Sequence, residues 1–114
     1  MTIENISTVD AIGTDKVTGA VHLTITDHLP WDTDNHLHLL QKKINLYIGF
    51  IESGEIYATY PHAKGLSLVI DVYTKFRPTE DAVRFLKHAA AVTAHYGLSL
   101  RHIPFTSNYA DDAA

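Results

Sequence analysis

Between residues 20 and 51 the apolar side chains change their spacing from every second residue to every third or fourth. The stretch from Ala20 to Asp27 alternates, which predicts a half-buried strand with an apolar face of Val21, Leu23 and Ile25. After the breaker segment His28 to Asp32, an apolar stripe predicts a helix from Asp34 to Gly54, made of Leu37, Leu40, Ile44, Tyr47, Ile48 and Ile51. Such a strand and helix bury their apolar sides together when helices cover one face of a sheet.

Two β-hairpins are predicted around this helix. Val9 to Gly13 is a short strand that pairs with Ala20 to Asp27, and Glu55 to Tyr60 pairs with Leu66 to Tyr73 because both stretches alternate. The sheet face away from the helices would then carry a polar set with aromatic residues, namely His22, Thr24, Thr26, Tyr57, Thr59, Val69, Asp71 and Tyr73. We interpret this face as either solvated or a binding surface.

A second helix begins at Arg77 to Asp81, where Thr79 is the capping residue, and it ends at Gly97. Leu98 to Ile103 is a possible last strand, which the following proline restricts to an edge position. The fold class is therefore α+β, in the order ββαββα(β), with an antiparallel or mixed sheet of four or five strands and two helices on one face. We expect one domain over residues 8–105, with flexible termini at 1–7 and 106–114.

The composition excludes several functional classes. There are no cysteines, so disulfides, thiol catalysis and cysteine-ligated metal sites are excluded. A net charge of −4, with Lys42–Lys43 as the close basic pair, argues against nucleic-acid binding. No apolar run has the ~20 residues of a membrane span, and the first eight residues do not resemble a signal peptide. We therefore expect a cytoplasmic protein that binds neither nucleic acid nor a membrane.

The segment that joins the alternating strand to the first helix is the main candidate site. Strand ends and helix starts bring polar side chains together, and this one carries Asp27, His28, Trp31, Asp32 and His36. A purely structural interpretation covers the same residues: Asp32 or Thr33 caps the helix, Trp31 fills the end of the core and His36 hydrogen-bonds Asp27. Asp27 and His36 are candidate metal ligands, but the spacing fits no known metal motif, so we predict no metal and no cofactor.

The first helix carries two further groups. Gln41, Lys43 and Asn45 are polar residues of its middle turns, and they are interpreted as surface residues or as contacts to a strand or ligand. Beside the main apolar stripe lies a second one, made of Leu39, Leu46 and Phe50. A helix that is apolar on two sides either packs under more than one element or contacts a partner. Leu39, Leu46 and Phe50 are therefore the candidate interface.

The motif Asp27-His-Leu-Pro-Trp31, followed by the helix His36-Leu-His-Leu-Leu-Gln-Lys-Lys-Ile-Asn45 and Tyr47, resembles a small family of uncharacterised bacterial proteins of unknown function. In that family an Asp-x-x-x-Trp turn leads into a His…Leu-Gln-x-Lys-x-Asn-x-Tyr helix. The resemblance covers Val9 to Phe105 and implies no activity. Its matching positions are Asp27, Trp31, His36, Gln41, Lys43 and Asn45.

Two hypotheses of function follow. The first is a non-enzymatic protein-interaction domain, a homodimer or the partner of another protein, because the chain has an apolar second stripe and no nucleophile or phosphate-loop motif. The alternative is a small metal-dependent or hydrolytic enzyme with its site at Asp27, His28, Asp32 and His36. The second hypothesis requires these side chains to converge on one pocket.

Overall fold

The computed structural model describes Ile3, Asn5 and residues 8–104. In this part of the chain the elements follow in the order β1 (Ala11–Thr14), β2 (Val21–Asp27), α1 (His36–Glu52), α2 (Glu55–Thr59), a 3-10 turn (Pro61–Ala63), β3 (Leu68–Thr74), α3 (Glu80–Ala94) and β4 (Ser99–Pro104). The predicted flexible termini, 1–7 and 106–114, lie outside the described residues except for Ile3 and Asn5.

The strands form one mixed sheet in the order β1-β2-β3-β4. The β1–β2 pair is antiparallel, whereas β2–β3 and β3–β4 are parallel. Both parallel crossovers move across the sheet in the same direction, and the strong preference for right-handed crossovers places α1 and α3 on the same face. Contacts between α1 and α3 agree with this arrangement. The α+β class and the mixed four-stranded sheet are therefore confirmed.

The core lies between this sheet and its helical layer. Strand β2 buries every second residue, as its sequence predicts, and β3 buries Leu68, Ile70 and Val72 on the same side. The helices contribute Leu40, Ile44, Tyr47, Ile48, Ile51, Leu86 and Ala89 to the same cluster. Full burial of one such aliphatic side chain stabilises the fold by ~1.5–3 kcal/mol.

The predicted strand at Glu55 to Tyr60 is wrong: this segment forms α2. Gly54, with φ of 82°, reverses the chain after α1, and a new helical turn begins at once. Ile56 is fully buried and Tyr60 packs against the core. Residues four apart share one side of a helix, so a single buried side explains the same pattern that alternation suggested. Tyr57 and Thr59 are therefore not on the open sheet face.

The predicted second hairpin is also absent from the described residues. Strand β3 pairs in parallel with β2, from Val21 opposite Leu68 to Asp27 opposite Thr74. Because α1 and α2 both fill the connection between these strands, the chain forms a crossover rather than a tight turn. The predicted last strand is confirmed as β4 at the sheet edge.

The two long helices begin differently. The hydroxyl of Thr79 accepts a hydrogen bond of 3.2 Å from the backbone N–H of Ala82, which confirms the predicted cap of α3. The predicted capping of α1 by Asp32 or Thr33 is wrong. Its N-cap is Asn35 in the left-handed conformation, with φ of 64° and no side-chain cap. The loop before α1 brings His36 back to Asp27. The helix therefore begins after Asn35 and not after Asp32 or Thr33.

Ile3 extends the packed unit beyond the predicted boundary at residue 8. Its side chain is fully buried in the core, and its backbone N–H donates a 2.9 Å hydrogen bond to the carbonyl of Thr26. Ile3 therefore lies beside β2 and belongs to the packed unit.

Candidate functional site

The predicted polar cluster divides into three groups in the structure. Asp27, Trp31 and His36 converge at the carboxyl end of β2, and His28 is half-buried beside them. Asp32 is exposed. Gln41 and Asn45 line a groove of about 80 Å³ between α1 and α3. Lys43 is buried on a different side of α1, so the sequence neighbours do not form one site.

Asp27 and His36 form a buried pair. His36 Nε2 lies 2.6 Å from Asp27 Oδ2, and both side chains are 1 % exposed. The other ring nitrogen, Nδ1, donates to the Pro30 carbonyl at 2.9 Å, because a carbonyl oxygen can only accept. The predicted hydrogen bond between His36 and Asp27 is thus present. With both ring nitrogens engaged, His36 offers no lone pair to a metal ion.

Trp31 covers this pair. Its ring stacks on that of His36, with centroids 4.1 Å apart and an angle of 10° between the planes. The indole N–H donates a 3.0 Å hydrogen bond to the carbonyl of Phe76. Trp31 therefore closes the end of the core and joins the β2–α1 connection to the β3–α3 connection, which is a structural role.

Thr74 and His102 lie at the same end of the sheet, and neither is among the predicted site residues. Thr74 Oγ1 and His102 Nε2 lie 2.7 Å apart at the carboxyl ends of β3 and β4. Burial lowers the pKa of His102 below its ordinary value of 6.5, and the charge of Asp27 offsets part of that effect. In the described residues no three His, Asp or Glu side chains are grouped as a metal site would require.

Lys43 is fully buried and belongs to a separate network. Its ammonium group donates to the carbonyls of Asn5 and Thr8 and to Asp10 Oδ1, the last at 2.7 Å. The hydroxyl of Tyr47 accepts a 2.7 Å hydrogen bond from the Asp10 N–H and donates to the Thr24 carbonyl. Burial raises the pKa of Tyr47 far above its ordinary value of 10. This network fastens the N-terminal segment to α1 and β2.

The second apolar stripe of α1 lies beside this segment. Leu39, Leu46 and Phe50 are half-buried and pack against the core. Leu46 and Phe50 line a groove of about 580 Å³, together with Val9 and Ile12 from the other side. The chain's own N-terminal segment therefore covers part of the stripe.

The strongest candidate site is on the open sheet face, around Asp71. Asp71 lies in the middle of β3 and is 2 % exposed, although its side chain points away from the helices. The register places Arg101 of β4 directly opposite it, and His22 reaches it from β2. A buried carboxylate without partners would be strongly destabilising, so these two side chains are what permits Asp71 at this position.

Three hydrogen bonds hold this carboxylate. Arg101 donates from Nε to Oδ1 at 2.7 Å and from Nη2 to Oδ2 at 3.1 Å. His22 Nδ1 lies 2.7 Å from Oδ2. Burial alone would raise the pKa of Asp71, but the hydrogen bonds from Arg101 and His22 outweigh it and hold that pKa below its ordinary range. The same contact raises the pKa of Arg101 further.

The contact with Asp71 holds the positively charged guanidinium of Arg101 in an open cleft. The Arg101 side chain is 53 % exposed even though its Nε edge is bound to Asp71, and it lines a cleft of about 420 Å³ with Asp15, His22, Thr24 and Tyr73. Arginine presents planar donors that match carboxylate and phosphate groups, and a fixed arginine loses less side-chain entropy on binding. The cleft therefore presents a guanidinium group whose orientation is fixed.

The sequence carried part of this signal. His22, Asp71 and Tyr73 are correctly predicted on the open face, but Arg101 was not connected with them. An Asp between Ile70 and Val72 in a strand requires a partner. The parallel register that places Arg101 opposite Asp71 depends on the pairing of β3 with β4, and the predicted order of elements does not fix which strands pair.

Comparison with known proteins gives one match. A family model described as a family of unknown function (DUF6572) matches residues 1–106, which confirms the resemblance to an uncharacterised family. No curated protein and no solved structure matches the chain. Among the described residues, no helix combines the length and the apolarity of a bilayer span.

Proposed function

Because the chain belongs to DUF6572, a family of unknown function, we propose a function from geometry alone: it is a non-enzymatic binding domain that takes an anionic group on its open sheet face. The proposal rests on the guanidinium of Arg101, which the buried Asp71 carboxylate fixes at the cleft. Arg101 Nη1 has no hydrogen-bond partner among the described residues and can donate to a ligand.

Asp71 acts as a positioning residue in this proposal. A free arginine on a strand edge samples many rotamers, whereas the two hydrogen bonds to Asp71 keep one of them. A carboxylate or phosphate that meets Arg101 from the solvent side adds charge-assisted hydrogen bonds. The anion comes either from a small molecule or from an acidic side chain of a protein partner, and the second source agrees with the interaction-domain hypothesis.

The test is an NMR titration of isotope-labelled protein with acetate, inorganic phosphate and a short peptide that contains one glutamate. A charged hydrogen bond contributes ~1.5–3 kcal/mol, so each probe should bind weakly and shift the backbone amide signals of cleft residues such as His22 and Tyr73 in a saturable way. Tighter binding of the peptide than of acetate indicates a protein source. Arg101→Gln should abolish the shifts.

The matched control is Arg84→Gln. Arg84 is 68 % exposed on α3, and its ion pair is with Asp81 one turn away, so its loss should leave the titration unchanged. Equal shifts in wild type and Arg101→Gln, or no saturable shift with any probe, would overturn the proposal.

Self-association is a second proposal, which the groove between Leu46, Phe50 and the N-terminal segment favours. In this proposal a second copy of the chain covers the half-buried Leu39, Leu46 and Phe50. We also propose, from the sequence alone, that the protein is bacterial and cytoplasmic.

A further inference from the structure

Three side chains of the open-face cleft use only some of their polar atoms in hydrogen bonds. Asp15 uses Oδ1 for hydrogen bonds, His22 uses Nδ1 and Arg101 uses Nε and Nη2. The remaining atoms, Asp15 Oδ2, His22 Nε2 and Arg101 Nη1, have no partner among the residues that the structure describes. All three side chains line the same cleft.

Asp15 contributes a negative charge to the cleft. Asp15 Oδ1 accepts hydrogen bonds from the backbone N–H groups of Val17 at 2.8 Å and Thr18 at 3.3 Å. These bonds hold the pKa of Asp15 below its ordinary value, so the group is a carboxylate at neutral pH. They also fix its direction, because the turn between β1 and β2 holds one of its two oxygens.

His22 adds a second acceptor to the cleft. Since Nδ1 faces the Asp71 carboxylate, which accepts, Nδ1 carries the proton in the neutral ring and Nε2 has a lone pair. Asp15 and His22 therefore both accept, whereas Arg101 donates. The described part of the cleft thus presents two accepting atoms, Asp15 Oδ2 and His22 Nε2, and one donating atom, Arg101 Nη1, and no ion pair joins Asp15 to Arg101 in it.

We infer that the cleft binds a small zwitterion, whose carboxylate contacts Arg101 and whose ammonium group contacts Asp15 and His22. The inference rests on the proposed function, since it uses the same contact with Arg101. A free amino acid and a short peptide share this chemistry and differ in the separation of their charges. Space is available because β1 presents Gly13 to the cleft, and a Cβ built there meets no atom within 4 Å.

The experiment compares acids with and without an amine on the same carbon chain. Propanoate and 3-aminopropanoate form the matched pair, while glycine, 4-aminobutanoate and glycylglycine vary the charge separation. Binding is measured by NMR titration of the intact chain. We expect at least one zwitterion to bind about tenfold more tightly than propanoate, a ratio that corresponds to ~1.4 kcal/mol.

The variants test the contact with the ammonium group separately from the contact with the carboxylate. Asp15→Asn keeps an Oδ1 acceptor for the turn but removes the charge, so the advantage of the zwitterion should fall to about onefold while propanoate binding stays. Gly13→Val adds a side chain in the cleft without strain and should weaken every probe.

The outcomes distinguish this inference from the proposed function. Equal affinity for propanoate and all zwitterions would overturn the zwitterion site and leave anion binding intact. An advantage that survives in Asp15→Asn would overturn the assigned ammonium contact. Absence of saturable binding by propanoate and by every zwitterion in the wild type would overturn both.

Discussion

Lys43 Nζ lies 2.7 Å from Asp10 Oδ1, and the exposed fractions of the two side chains are 0 % and 3 %. This ion pair connects the middle of α1 to the segment before β1. Leu39 and Leu46, four residues before the lysine and three residues after it, lie on the same side of α1 and pack against the core.

Asp10→Ala should destabilise the fold by ~3–5 kcal/mol, because it leaves a buried ammonium group without its counter-charge. The measurement is urea unfolding at neutral pH. Asp81→Ala is the control, since the Asp81–Arg84 pair is exposed and its loss should cost less than ~1 kcal/mol. Equal losses in the two variants would contradict the role of the buried pair.

Thermal melts with zinc, nickel, manganese or calcium should coincide with melts in chelator. Both ring nitrogens of His36 are hydrogen-bonded, so a metal ion would have to break two buried bonds to bind there. A ligand at a hundredfold excess over its dissociation constant would add ~2.7 kcal/mol of stability. A rise in the melting temperature with one metal, lost in His36→Ala, would restore the metal-dependent alternative.

His102 should make the fold sensitive to mild acid. Its pKa is lower in the folded chain than its ordinary value of 6.5, so the unfolded chain takes up the proton first. The stability due to neutral His102 is therefore present above about pH 6.5 and is lost as the pH falls through the folded pKa.

The check is the free energy of unfolding between pH 7.5 and 5 in wild type and in His102→Gln, which can still bond Thr74. The variant should show a flatter dependence on pH, and His38→Gln, at an exposed position of α1, should follow the wild type. A wild-type slope in His102→Gln would contradict the assignment.

The second proposal predicts a dimer in analytical ultracentrifugation, with Phe50→Ser shifting it towards monomer. Phe50 is half-buried, so part of its apolar surface is available to a second copy. Val17→Ser is the control, because Val17 is 94 % exposed in the β1–β2 turn, away from the stripe. A monomer at every protein concentration would remove the homodimer from the proposal.

Local signals in the sequence were sufficient where the structure depends on near neighbours. The alternation of β2, the stripe of α1 and the Thr79 cap concern residues within a few positions of each other. The alternation of Glu55 to Tyr60 wrongly predicts a strand because six residues with one buried side satisfy both a strand and a helix. The error then removed the parallel crossover from the predicted topology.

The contacts of the candidate sites also differ in how far apart the two partners lie in the sequence. The Asp27–His36 bond was predictable because nine residues and one turn separate them. The contact between Asp71 and Arg101 depends on the pairing of β3 with β4, and that of Lys43 with Asp10 on the path of the N-terminal segment. Neither is encoded in any short window of sequence.

The parallel pairing of β2 with β3 also bears on how fast the chain folds. Val21 and Leu68 pair across a connection that contains α1 and α2, so the two central strands close the longest loop of the sheet before they gain any ladder bond. Folding rates fall as such non-local contacts increase. The strands β3 and β4 are closer in sequence, so we expect β3, α3 and β4 to pair before β2 joins them. The anion cleft, which needs His22 of β2 as well as Arg101 of β4, is then completed late in folding.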